Sequence, residues 1–245
     1  AISLSKDGLE YTTLNLVHGE ITPMRYGGNY KSYGPQYPRG IQEGNGVPAD
    51  GDLWVSYSVN KEDMWISRIP VPVEINASAH ADDDFSKNKS IAELTDWNIY
   101  SPVWAPVSLE DQWLKLQDKD PFDYAKVERK IPASKELKVS FDLKAGQNNK
   151  GTLHIEFLDE NGIACSRIEL TDDGIFRLKG GSRFANMMKY EAGKVYHVEA
   201  VLSTVDRNIQ VYVDGKRVGL RMFYAPVAAI ERIVFRTGTP RTFPT

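Results

Sequence analysis

Asp50-Gly-Asp-Leu-Trp-Val-Ser-Tyr-Ser-Val-Asn-Lys-Glu-Asp-Met-Trp-Ile-Ser-Arg68 reads as two alternating strands joined by the polar turn Asn60-Lys-Glu-Asp63. On the first arm Leu53, Val55, Tyr57 and Val59 point one way and Trp54, Ser56 and Ser58 the other; on the second, Met64, Ile66 and Arg68 alternate with Trp65 and Ser67. This is a β-hairpin. Proline removes a ladder donor and is tolerated only at strand edges, so Ile69-Pro-Val-Pro-Val73 marks the exit from one sheet and places a boundary near residue 75.

Upstream, Leu4-Ser-Lys-Asp-Gly-Leu-Glu-Tyr11 sets a serine, an aspartate and a glycine in a tight turn ahead of an aromatic. Ser and Asp side chains bond the backbone of such a turn, and Gly supplies the positive φ. The segment resembles the Asp-box turns of BNR-repeat β-propellers, the family that includes sialidases and other glycosidases. Followed by a long loop and a strand pair with a Pro-rich exit, it reads as the closing blade of such a propeller. A first residue that is not methionine, in what resembles the middle of a repeat protein, leads to the expectation of a fragment with an upstream propeller portion.

Downstream, residues 76–94 are polar, with Ala77-Ser-Ala-His-Ala-Asp-Asp-Asp84 the least patterned part, and read as a linker. Alternation returns beyond it. Leu137, Val139, Phe141 and Leu143 form one series, Leu153, Ile155 and Phe157 a second, Tyr196, Val198, Ala200 and Leu202 a third, and Ile209, Val211 and Val213 a fourth. Turn signals fall between the strands at Asn148-Asn-Lys-Gly151, Asp159-Glu-Asn-Gly162, Asp172-Asp-Gly174 and Asp214-Gly215. Short antiparallel strands at this spacing predict a β-sandwich or jelly roll over residues 95–245. Lys194-Val-Tyr-His-Val-Glu-Ala-Val-Leu-Ser203 followed by Asn208-Ile-Gln-Val-Tyr-Val-Asp-Gly-Lys-Arg-Val218 is similar to the strand-turn-strand signature of concanavalin A-like and laminin G-like sandwiches. The expected fold is therefore all-β, a partial propeller blade over residues 1–75 and a lectin-like sandwich behind the linker.

The chain of 245 residues, 41% hydrophobic and 26% charged, is long enough for one large β unit or two modest ones. A net charge of -3 without a basic stripe in either half argues against nucleic acid as a partner. No apolar run approaches the roughly 20 residues that span a bilayer, so no membrane span is expected. Cys165 is the only cysteine, which excludes an internal disulfide framework. The histidines have no ligand spacing, and the run Asp82-Asp-Asp84 lacks that of a calcium loop, so neither metal nor other cofactor is expected.

Candidate chemistry concentrates in residues 24–46, which hold Tyr26, Tyr30, Tyr33, Tyr37, Arg25, Arg39 and Glu43 among glycines and prolines and read as a loop too irregular for a strand. Tyrosine faces stack on sugar rings, and arginines fork a carboxylate or sulfate. Arg25, Tyr30, Arg39 and Asn45 are accordingly the candidate glycan-binding residues, the other reading being that the tyrosines plug the loop against the core. In sialidase-like propellers a late tyrosine paired with a glutamate is the nucleophile; that resemblance implies Tyr33 or Tyr37 with Glu43. Asp52, Glu62 and Asp63 are expected at solvated turns. The partner implied is an oligo- or polysaccharide, in a secreted or periplasmic setting. Three functions stay open: part of a glycoside hydrolase, a non-catalytic glycan-binding module, and a structural sandwich that braces the propeller.

Overall fold

The computed structural model of the chain describes residues 2–11, 24, 26–28, 34–42, 50–73, 81–94, 96–121 and 123–238. It divides into two compact units, residues 1–76 and 77–245.

In the first unit, β1 (Pro35–Ile41), β2 (Leu53–Val59) and β3 (Asp63–Ile69) form an antiparallel sheet in the order β1-β2-β3. The hairpin of β2 and β3 is the expected one, with a turn one residue tighter, because Val59 pairs directly with Asp63. Tyr57, Val59 and Ile69 are buried, whereas Met64 and Ile66 on the opposite face are exposed. The stretch expected to be loop throughout contains β1. Its irregularity is a bulge: the register shifts between Gln36 and Arg39, and Tyr37 takes a φ of 55°. An extra residue in an edge strand is where Pro35 and Pro38 are tolerated, since neither has an amide to offer the ladder. Asp52 also departs from expectation. It is buried, receives the Arg68 Nε at 2.6 Å and accepts from the Val71 amide at 3.1 Å, so it ties the start of the hairpin to its exit. The Asp-box turn is formed: Ser5 Oγ accepts from the Gly8 amide at 2.8 Å, while Asp7 Oδ1 accepts from the Leu9 and Glu10 amides at 2.8 and 2.9 Å.

The second unit is a sandwich of antiparallel sheets. The larger sheet contains β4 (Trp97–Tyr100), β7 (Lys126–Ser134), β9 (Leu153–Leu158), β10 (Ala164–Leu170), β11 (Ile175–Gly180), β12 (Arg183–Lys189) and β16 (Ile230–Thr237), in the order β12-β11-β10-β9-β16-β7-β4. The smaller contains β8 (Glu136–Lys144), β13 (Val195–Ser203), β14 (Asn208–Val213) and β15 (Lys216–Met222), in the order β15-β14-β13-β8. A short hairpin of β5 (Val107–Glu110) and β6 (Trp113–Leu116) stands apart.

The four alternating series seen in the sequence are β8, β9, β13 and β14. Their apolar positions meet in one core, where Ile155, Phe157, Ile168, Leu170, Phe176 and Leu178 from the larger sheet pack with Val198, Ala200, Leu202, Ile209, Val211 and Val213 from the smaller. Phe176 lies edge-on to Tyr190 and Tyr196 at 5.5 and 5.7 Å, the preferred geometry for aromatic quadrupoles. At the edge of the sandwich Gly180 abuts Arg221 so closely that a Cβ there would collide with the arginine stem.

A smaller cluster of Ala105, Val107, Ala125 and Val127, packed with Trp97, Ile99, Leu114 and Leu116, anchors the β5–β6 hairpin, and Phe235 joins both clusters. Residues 81–94 are engaged by this unit. Asp83 receives the Nε of Arg129 at 2.8 Å, Phe85 packs 5.9 Å from Trp97, and Ile91–Glu93 form a 3-10 turn whose Ile91 joins the smaller cluster.

Candidate functional site

Because Ile155, Phe157, Ile168, Phe176, Leu178, Ile233 and Phe235 face the core, the residues between them on the larger sheet face outward. Cross-strand registers arrange these into rows. One runs Phe184, Lys179, Arg167, Glu156, Val234, Glu128 from β12 to β7; the next runs Asn186, Arg177, Glu169, His154, Arg236, Lys126 and ends at Tyr100 on β4. An outward face normally carries solvated side chains. Here His154 is 1% exposed, and Glu156, Glu169, Glu128 and Arg236 are all buried.

Two loops beside the sheet carry aromatic groups onto it. Tyr224, whose amide donates to the Cys165 carbonyl at 3.0 Å, brings its ring within 5.9 Å of the Lys179 ammonium. Tyr124 lies 5.1 Å from the Arg236 guanidinium, its ring tilted at 51° to that of Tyr100 at 5.4 Å, and the Tyr100 hydroxyl donates to Asp123 at 2.9 Å.

The buried charges are paired, as removal from water requires. Arg167 Nε donates to Glu156 Oε1 at 2.7 Å, Arg177 Nη2 to Glu169 Oε1 at 3.0 Å, and Lys126 Nζ meets Glu128 at 3.1 Å. Arg236 Nη2 donates to His154 Nδ1 at 3.0 Å, which makes that nitrogen the acceptor and puts the imidazole proton on Nε2, 4.0 Å from Glu169. Burial first, then the positive charges of Arg236, Arg167 and Arg177, hold the His154 pKa down at about 3, so the ring is neutral. Burial likewise pushes the Tyr224 phenol up to about 12 and keeps it a hydroxyl donor. The face thus carries paired guanidinium and carboxylate groups, a neutral imidazole and two flanking aromatic rings side by side. That is the inventory with which proteins bind polyhydroxylated ligands.

Of the residues singled out in the sequence, Tyr37 and Arg39 lie on β1, both exposed; the Tyr37 ring is 5.7 Å from the Lys61 ammonium. Arg25, Tyr30, Tyr33, Glu43 and Asn45 lie outside the described residues, as does any constellation they form. The sheet face of the second unit was not among the candidates. Its signal was present as polar pairs two residues apart, His154 with Glu156, Arg167 with Glu169 and Arg177 with Lys179, but such pairs on alternating strands ordinarily mean a solvated face.

Residues 97–245 match the sialidase-like, CBM domain family. The chain belongs to that family. A solved structure described as a sialidase aligns with 99% of the chain at 91% identity and a TM-score of 0.95, and the chain spans 22% of that longer protein. The apo Crh5 transglycosylase is similar over 66% of this chain and 69% of its own, at 12% identity and a TM-score of 0.52, a likeness of fold alone. No curated protein matches the chain. Among the described residues no helix is long and apolar enough to cross a membrane.

Proposed function

We propose that this chain is a carbohydrate-binding module of a longer sialidase-like protein and that it holds a glycan on the outward face of the larger sheet, between Tyr224 and Tyr124. The observation that carries this reading is the desolvation of a charged face. Arg167, Glu156, Glu169, His154 and Arg236 sit on the side of the sheet away from the core, yet most are as buried as core residues. Such a network is costly unless fully bonded, and it pre-organises donors and acceptors for hydroxyl groups. Glu156 and Glu169 are committed to guanidinium partners rather than arranged as acid and base across an open cleft, which favours recognition over hydrolysis.

In this reading the first unit is the edge of a propeller of the parent protein, as its Asp-box turn and three-stranded sheet suggest. The chain alone does not hydrolyse glycosides. Catalysis belongs to the whole parent, where Tyr33 or Tyr37 with Glu43 would supply the nucleophile and Arg25, Tyr30, Arg39 and Asn45 would bind substrate.

Titration calorimetry with a panel of oligosaccharides tests the assignment of the site. Glu156→Gln removes one acceptor of similar size and should weaken glycan binding about tenfold, the worth of one charge-assisted hydrogen bond. Tyr37→Ala should leave that affinity unchanged. Loss of binding in Tyr37→Ala with retention in Glu156→Gln would move the site to the first unit.

A further inference from the structure

Resting on that reading, we propose that the β11 end of the face is an anion subsite, built by Lys179 and Arg177 to take a carboxylate or sulfate group carried by the glycan. Most cations of the face are neutralised by a carboxylate in the same rows: Arg167 by Glu156, Lys126 by Glu128, and Arg232 by Glu128 at 3.7 Å. Lys179 is different. Among the described residues it pairs with no carboxylate, and its ammonium has only the Ser182 carbonyl at 3.4 Å and the rings of Phe184 at 4.8 Å and Tyr224 at 5.9 Å. Aromatic faces orient a cation without cancelling its charge.

Arg177 beside it spends Nη2 on Glu169, but its Nε is buried without a hydrogen-bond partner. An orphaned, desolvated donor of a charged group is expensive, and an anion accepting from it removes that expense. The Arg177 guanidinium also lies 5.2 Å from Phe184, so a single ring lies beside both cations at the rim. Lys179 pairs across the sheet with Arg167 and Arg177 with Glu169, so the carboxylate opposite Arg177 is already engaged. The excess is local, since the chain as a whole carries a net charge of -3. Tyr224 adds a hydroxyl that stays protonated, a neutral donor suited to an anionic oxygen.

The full chain should be titrated with a neutral oligosaccharide and with matched versions bearing a carboxylate or a sulfate. Either acidic version is expected to bind about tenfold or more tightly than the neutral one, with the advantage shrinking as salt is raised. Lys179→Met, which keeps the aliphatic stem between its rings, should bring acidic and neutral ligands to equal affinity, whereas Lys138→Gln on the opposite sheet, where Lys138 pairs with Glu199, should change nothing. Which acidic version wins names the anion. Equal affinity of the unaltered chain for neutral and acidic glycans, or an acidic preference that survives Lys179→Met, overturns the anion subsite while leaving glycan binding in place. A folded chain that binds none of the ligands overturns the binding-module reading together with the subsite.

Discussion

His154 shows how one residue links packing to solution behaviour. Its ring is enclosed by β10 and β16, accepts from Arg236 and is held neutral, its pKa down at about 3 in the folded chain against 6.5 in an unfolded one. Between those values the unfolded chain binds a proton that the folded chain refuses, so stability falls as pH drops from 6.5 towards 3 and is fully present above 6.5. One proton taken up on unfolding corresponds to a slope of up to about 1.4 kcal/mol per pH unit. Denaturant melts between pH 5 and 6.5, above the range where carboxylates titrate, should show this slope in the native chain and lose most of it in His154→Gln, whose amide can still accept from Arg236. Identical slopes in the two proteins would mean that the histidine is charged or solvated. From sequence His154 had only the look of a polar residue on an alternating strand, because its exposure depends on groups far along the chain.

Among the elements, the hairpin of β2 and β3 and the strands β8, β9, β13 and β14 were legible because apolar alternation and the turns between them lie in consecutive residues. Asp214-Gly215 is the plainest case, with φ of 50° and 77° forming the tight turn between β14 and β15. β10 and β11 were harder. Ala164-Cys-Ser-Arg-Ile-Glu-Leu170 is buried on both faces, so its charges do not mark a solvent side. β1 was hidden by its bulge and prolines.

By its polarity the segment before β4 reads as linker, yet Arg129, 4% exposed on β7, binds it through Asp83 and through the Asp96 carboxylate at 3.2 Å. Arg129 is buried while Asp83 and Asp96 both reach solvent, so Arg129→Ala strands no carboxylate and should destabilise the second unit by about 1.5 to 3 kcal/mol, the worth of hydrogen bonds to a charged group. Asp83→Asn should cost less, because Asp83 reaches solvent and Asp96 remains on the arginine. A chemical melt that shows equal, small losses for both variants would mean that this segment is not held by the clamp.

At the scale of the whole molecule, residues 77–245 contain their own core and the whole candidate sheet face. Expressed alone they should fold cooperatively and bind glycan with the affinity of the full chain, as read by calorimetric melting and titration; an unfolded or non-binding product would show that the first unit is needed for either. The sequence by itself determined that the chain is all-β, where its clearest hairpins and turns fall, that an Asp-box turn precedes them, and that a β-sandwich follows. These follow from local rules, since side-chain period and Asx-Gly turn geometry are properties of a few neighbouring residues. Only the tertiary structure decided which polar face is a site. The contact of Arg236 with His154 spans 82 positions in the sequence, so the burial of their row exists only once β9 and β16 have paired within the closed sandwich.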